Sequence, residues 1–248
     1  MLNQILFYIV ILLTNIIQGI TGFAGTILAM PPGLMLVGYN IAKPILNVLA
    51  IFSGIYVFIG NYKKVDWKEL LRIVVIMAAG IMAASFIHGF FADKEQLLYK
   101  LLGVFVVVLS VHGFYRLVRP TKDLDEVKPA HSGPAAYGLL ALAGIIHGLF
   151  VSGGPLLISY LTRRIQDKVV FRATISTVWI FLNSLILFQD VQAGLWTADT
   201  AVAGLISLPF LFVGMFIGSK LYARMSQLVF MKLTYILLFI SGLSLLVK

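Results

Sequence analysis

Long apolar stretches separated by short polar ones run along the whole chain. A bilayer is spanned by about 20 apolar residues, and the stretches lie at roughly 3–38, 42–60, 69–92, 97–118, 135–162, 173–189, 197–219 and 228–247. One clearly polar, loop-like stretch covers residues 119–133, near the middle of the chain. The pattern predicts an all-α polytopic membrane protein, with a first membrane domain at 1–118, a linker at 119–133 and a second membrane domain at 134–248.

The two halves of the chain repeat at one spacing. Gly148 follows Gly19 by 129 residues (148 − 19 = 129), and the same spacing pairs Lys43 with Arg172. It also pairs Gly25 with Gly154, Phe52 with Phe181, Trp67 with Trp196, Gly89 with Gly218, and Gly113 with Gly242. Glycine is common in membrane helices, so the tryptophan pair and the basic pair carry more weight. The matches predict an internal repeat of four apolar elements.

The first apolar element of each half is interrupted by glycine and proline. Stretch 3–38 is too long for one span, and it is broken at 22–25 and again at Pro31-Pro32. The equivalent stretch 135–162 is broken at 152–155. Each element could be a broken helix that crosses the bilayer or a re-entrant hairpin that returns to its starting side.

The distribution of basic residues between the loops favours the hairpin. Cytoplasmic loops of membrane proteins are enriched in Lys and Arg. If all eight elements cross, the 19 basic residues divide ten to nine between the two sides, whereas hairpins divide them fifteen to four. We therefore predict two inverted repeats, each a broken or re-entrant helical hairpin plus three transmembrane helices. The linker would be cytoplasmic and both termini extracytoplasmic.

Composition excludes several classes of protein. The chain is 60% hydrophobic and 12% charged, about half the charge of an average soluble domain. Its net charge of +9 is explained by basic loops, so no nucleic-acid partner is expected. The chain has no cysteine, no His-Glu-x-x-His motif and no phosphate-binding loop. We expect no metal, no cofactor and no enzymatic activity, and the lipid bilayer is the expected surrounding.

The glycine clusters at the two hairpin turns are the first candidate site. The turns hold Gly22, Phe23 and Gly25 in one half and Ser152, Gly153 and Gly154 in the other. A helix that begins after such a turn offers free N–H groups and partial positive charge. Two such helix starts, entering from opposite faces, would bind a small anion near the bilayer midplane. The alternative is that the glycines only permit close helix packing.

Polar and basic residues near the turns extend this candidate site. Lys43 and Arg172 could attract an anion, although either could instead be an anchor that reaches the lipid headgroups. Gln18 and His147 occupy one repeat position, and a histidine in an apolar run is a functional candidate or a packed structural residue. Four further polar residues could line the cavity or hydrogen-bond between helices: Asn47, Thr174, Ser176 and Asn183.

At these residues the sequence resembles the sulfite exporter TauE/SafE family, also called the 4-toluene sulfonate uptake permease family. The resembling motifs are Gly19-Ile-Thr-Gly22-Phe23-Ala-Gly25, Gly148-Leu-Phe-Val-Ser152-Gly153-Gly154-Pro155 and Arg172-Ala-Thr174. The chain departs from the family at Ala24 and Thr26, where glycine is frequent. The resemblance implies transport of sulfite, organosulfonates or related small organic anions across a prokaryotic inner membrane.

These observations predict a secondary transporter with a small anionic substrate, alternating access and coupling to protons or to the membrane potential. The alternative is an anion channel or a membrane subunit of a larger complex. Saturable flux with counterflow would indicate a carrier, and flux linear with potential would indicate a channel.

Overall fold

The computed structural model describes residues 2–91, 95–118, 134–150 and 153–247. The predicted linker 119–133 and the candidate residue Ser152 lie outside these described residues. All regular structure within them is helical. The helices are α1 (Leu2–Thr21), α2 (Ala24–Val37), α3 (Tyr39–Asn61), α4 (Trp67–Phe91), α5 (Glu95–Val118), α6 (Pro134–Phe150), α7 (Gly154–Arg164), α8 (Lys168–Gln192), α9 (Ala198–Ala223) and α10 (Gln227–Val247), with a short 3-10 helix at Tyr62–Lys64.

Five helices of the described residues, α1, α3, α8, α9 and α10, are long and apolar enough to cross a bilayer. Their outer surfaces are apolar as well. On α9, for example, Val202, Leu205 and Phe216 are each more than half exposed. Exposing such a surface to water is unfavourable, whereas lipid chains are as apolar as the surface itself. The predicted class, an all-α polytopic membrane protein, is therefore confirmed.

The first apolar stretch folds as two antiparallel helices. Gly33 on α2 lies beside Phe7 on α1, and Gly25 lies beside Thr14. Higher residue numbers on α2 thus pair with lower residue numbers on α1. The two helices therefore form a hairpin with its turn at Gly22-Phe23. The second predicted break, at Pro31-Pro32, is wrong because α2 continues through both prolines. Membrane helices tolerate proline since neighbouring groups satisfy the backbone carbonyls that it leaves free.

The described chain forms two compact units. The first comprises Met1–Val74 and Arg172–Met225, and the second comprises Val75–Phe171 and Ser226–Lys248. In the first unit α1 and α9 pack in parallel through small residues. Gly214 lies against Leu12 and Gly218 against Ile16. Glycine at such positions lets two membrane helices approach closely.

Helices α3 and α8, also in the first unit, pack antiparallel. Asn47 Nδ2 donates to Asn183 O over 3.1 Å. A Cβ placed on Gly54 would lie 2.7 Å from Ser176 O, so the backbones are in close contact there. The Arg172 end of α8 and the Lys43 end of α3 therefore lie at opposite ends of this helix pair.

In the second unit α5 and α10 also pack antiparallel. Gly113 lies against Tyr235, while Gly242 lies against Val106 and Val107. Helices α4 and α6 meet through glycine in the same unit, with Gly80 against Ala141 and Gly144. Small residues thus set the helix contacts of both units.

Candidate functional site

The turn between α1 and α2 depends on Gly22. Its φ is +83°, a left-handed conformation that side chains other than glycine rarely adopt. Its N–H donates to Gln18 O over 2.7 Å. A Cβ at this position would lie 2.6 Å from Ser176 Oγ, so Gly22 is required both by conformation and by space. The turn thereby brings the start of α2 against α8.

Side chains of α1 occupy the first N–H groups after this turn. Thr21 Oγ1 accepts from the N–H of Phe23 at 3.4 Å and of Ala24 at 3.3 Å. Gln18 Oε1 accepts from the N–H of Gly25 at 2.8 Å. Three of the N–H groups expected to be free for an anion at this turn are therefore already paired. The helix dipole still favours negative charge nearby.

Gln18 holds the hairpin to α3. Its Nε2 donates to Ser53 Oγ over 3.1 Å, and the side chain is buried. A Cβ on Gly25 would lie 2.7 Å from Gln18 Cβ, so glycine is needed to bring the amide oxygen within reach. Gln18 acts here as a positioning residue for the start of α2.

Arg172 lies beside this turn and is buried, with 4% of its surface exposed. Its Nη2 donates to Gly19 O over 2.5 Å and to Ser219 Oγ over 2.8 Å. Its guanidinium carbon lies 4.4 Å from the centre of the Tyr222 ring, within the range of a cation–π contact. The guanidinium is therefore held in one position between α1 and α9.

The charge of Arg172 has no counterion in the described residues. No carboxylate there lies within ion-pairing distance of it, and its Nε is buried without an acceptor. A buried charge that lacks a partner is strongly unfavourable. A negatively charged group beside Arg172, Ser176 and the Gly22 turn would offset this cost, so anion binding here stays a prediction.

Three of the other candidates make hydrogen bonds that join elements of the first unit. Thr174 Oγ1 accepts from Asp66 N over 3.0 Å. Asn47 and Asn183 connect α3 to α8 through the bond given above. All three side chains are buried. Asn47 thus binds the backbone oxygen of Asn183, and Thr174 binds the backbone just before α4, while Asn47 Oδ1 has no donor in the described residues.

Lys43 is paired rather than free. Its Nζ lies 2.6 Å from Asp190 Oδ1, and the Asp190 side chain is 1% exposed. The sequence reasoning missed Asp190, which follows directly on the apolar stretch 173–189. The signal that could have found it is its spacing: Asn183 and Asp190 are seven residues apart and share one face of α8.

The remaining candidates lie in the second unit. Gly153 precedes α7 and lies against Ala143 O and His147 Cβ. Gly154 and His147 are buried. By the repeat spacing, Ala143 and His147 correspond to Thr14 and Gln18, which lie against Gly25 in the first unit. The two turns belong to different compact units, so their expected meeting at one site remains a prediction.

Comparison with known proteins gives one family and one curated relative. The profile of the family described as Sulfite exporter TauE/SafE matches residues 7–245. A protein of Comamonas testosteroni described as "Probable inner membrane transporter protein TsaS" is 27% identical over 186 residues, which are 75% of this chain and 74% of that protein. No solved structure matches. With five helices in its described residues that are long and apolar enough to cross a membrane and a family match over almost its whole length, the chain belongs to the TauE/SafE sulfite exporter family of membrane transporters.

Proposed function

We propose that this chain is a secondary carrier that moves a small sulfur-containing or organic anion, such as sulfite or an organosulfonate, across the inner membrane. The observation that carries the proposal is Arg172, a buried guanidinium without a carboxylate partner in the described residues, fixed beside the Gly22 turn. The family and the inner-membrane relative support the same class of function.

The chemistry of Arg172 suits an oxyanion. A guanidinium presents several N–H donors in one plane and keeps its charge when buried. Nη2 is already engaged with Gly19 and Ser219, whereas Nε has no acceptor in the described residues and is one donor available to a substrate oxygen. Ser176 Oγ, which is 3.5 Å from Gly22 O, adds a hydroxyl nearby. A charge-assisted hydrogen bond here would be stronger than one in water.

An inverted repeat, which is common in alternating-access transporters, is supported by contacts inside each unit. At the spacing of 129, Asn47 and Asn183 are equivalent to Ser176 and Gly54, and both of these pairs are in contact between α3 and α8. Likewise, Gly113 and Tyr235 are equivalent to Gly242 and Val106, which are also in contact. When equivalent helices run antiparallel, the repeats that contain them have opposite orientations.

The proposal predicts saturable transport that depends on Arg172. In proteoliposomes, the wild type should show sulfite or methanesulfonate uptake with counterflow. We expect Arg172→Gln to raise the half-saturating concentration by roughly tenfold to hundredfold, as for the loss of one charged hydrogen bond. Arg172→Lys should lie between the two, because it keeps the charge and loses the planar donor group.

Arg224→Gln is the matched control, since Arg224 belongs to the same unit and is exposed. It should leave the half-saturating concentration unchanged. Unchanged uptake in folded Arg172→Gln would contradict the assigned site. Flux that rises linearly with membrane potential and shows no counterflow would replace the carrier with a channel.

A further inference from the structure

The ion pair of Lys43 and Asp190 differs from an ordinary structural salt bridge in its surroundings. Asp190 lies two residues before the end of α8, where the helix dipole places partial negative charge and disfavours a carboxylate. Its partner Lys43 is the neutralising group, at 2.6 Å. Replacing a buried pair by apolar residues is often neutral or stabilising, so packing alone gives little reason for a charged pair here.

The pair also has unused acceptors. Asp190 Oδ2 is buried and has no donor in the described part of the chain. One helical turn from Lys43, Asn47 Oδ1 is buried and lacks a donor there too. Buried oxygens of this kind normally have a hydrogen-bond partner. Asp190 Oδ2 can therefore take a proton without first breaking another hydrogen bond.

The repeat shows what Asp190 changes. Lys43 and Arg172 are equivalent, and the position equivalent to Asp190 in the first half is Asn61 (190 − 129 = 61). Arg172 accordingly has no carboxylate partner in the described residues, whereas Lys43 has one. The two ends of the α3–α8 pair thus differ by one carboxylate. Lys43 at one end is neutralised by Asp190, whereas Arg172 at the other end has no carboxylate partner in the described residues.

We propose that Lys43 is a second anion-binding residue. The carboxylate of Asp190 occupies it as an internal counterion, and protonation of Asp190 makes Lys43 available to an anion. Hydronium in the solvent gives up its proton, leaving water, and the proton forms an O–H bond at Asp190 Oδ2. The carboxyl group becomes neutral, Lys43 keeps its ammonium charge, and a small oxyanion takes the place of the carboxylate as its counterion. Proton and anion therefore bind together. The physiological use of this site rests on the proposed function, but its existence does not.

A ligand can reach this end of the helix pair. The Lys43 side chain is 14% exposed, and Tyr39, one turn earlier, is exposed. Apart from the two chain neighbours of each glycine, no described residue comes within 4 Å of a Cβ built on Gly38 or Gly194, in the adjoining loops. Among the described residues, Tyr39 is a further ionisable group near the pair, with its ring centre 5.8 Å from Lys43 Nζ.

The test is the number of anion sites in the purified full-length chain, titrated calorimetrically with methanesulfonate. Asp190→Asn keeps the size of the side chain and an oxygen for Lys43, but removes the negative charge. We expect this variant to bind one more methanesulfonate than the wild type. Adding Lys43→Met should remove the extra site, and adding Arg172→Gln should leave it in place. Equal stoichiometry in wild type and folded Asp190→Asn would overturn the proposal, as would an extra site that survives Lys43→Met.

A wild-type measurement serves if Asp190→Asn does not fold. Methanesulfonate keeps one charge between about pH 5 and about pH 8, while a carboxyl group can take up a proton in that range. The extra site should appear toward the acidic end, and its absence there would overturn the proposal. Failure of the proposed function would look different. If the wild type lacked an Arg172-dependent site while Asp190→Asn still gained the Lys43-dependent site, the proposed function alone would be refuted.

Discussion

Gly22 shows how strongly one residue can constrain a membrane hairpin. A side chain there would meet both the left-handed backbone and Ser176 Oγ. We expect Gly22→Ala to lower the free energy of unfolding by about 1–2 kcal/mol from the conformation alone, measured as a lower midpoint of thermal unfolding in detergent. Gly60→Ala is the control, because Gly60 lies within α3 with open space around it. Alanine there should be neutral or stabilising.

At the scale of residues, candidate residues with a counterpart in the other half of the chain can be predicted from the sequence. Asp190, which has no acidic counterpart, cannot. Gly25 and Arg172 could be found because Gly154 and Lys43 are their equivalents at one spacing, and Gln18 could be found because His147 shares its position. Asp190 could not, since Asn61 replaces it in the first half. The sequence also does not show that Lys43 is paired. Its counterion is 147 residues away in the chain, and only the folded structure brings the two together.

At the scale of elements, helix contacts through glycine are the feature that substitution can test. A Cβ on Gly214 of α9 would lie 2.7 Å from Leu12 O, a backbone atom that cannot move aside without shifting α1. We expect Gly214→Ala to destabilise the protein by about 1–3 kcal/mol through overpacking. Gly204→Ala, in the same helix, should be tolerated, because its nearest neighbour atom is 3.7 Å away. Equal unfolding midpoints of these two variants would contradict the assigned contact.

The apolar pattern predicts where the helices lie better than it predicts the breaks inside the apolar stretches. Helices α3 and α8 begin at equivalent residues, Tyr39 and Lys168, and α1 and α6 end at equivalent residues, Thr21 and Phe150. The glycines near Gly22 predict a break because they permit a turn, whereas the prolines of α2 predict one that the structure does not have. Proline removes a backbone donor without forcing a change of direction, so its effect depends on neighbours that a sequence does not show.

At the scale of the whole molecule, the proposed inverted repeat fixes which loops share a side of the membrane. Lys64 and Ala193 are equivalent, since 64 + 129 = 193, and both are exposed. Because the chain has no cysteine, each position can carry a single introduced thiol. We expect Lys64→Cys to react with a membrane-impermeant maleimide only from the cytoplasmic side, and Ala193→Cys only from the opposite side. Labelling of both from the same side would exclude the inverted arrangement.

The antiparallel contact of α5 with α10 has a consequence for how such a chain could arise. In the proposed repeat the two helices are interchanged, and Gly113 contacts Tyr235 just as Gly242 contacts Val106. A contact that is unchanged when its partners are exchanged is the kind that two copies of one polypeptide form around a two-fold axis. A half-length ancestor that inserted in both orientations could therefore have assembled as a homodimer. Gene duplication and fusion would then have needed only a connecting segment, after which the two copies were free to diverge, as Asn61 and Asp190 have.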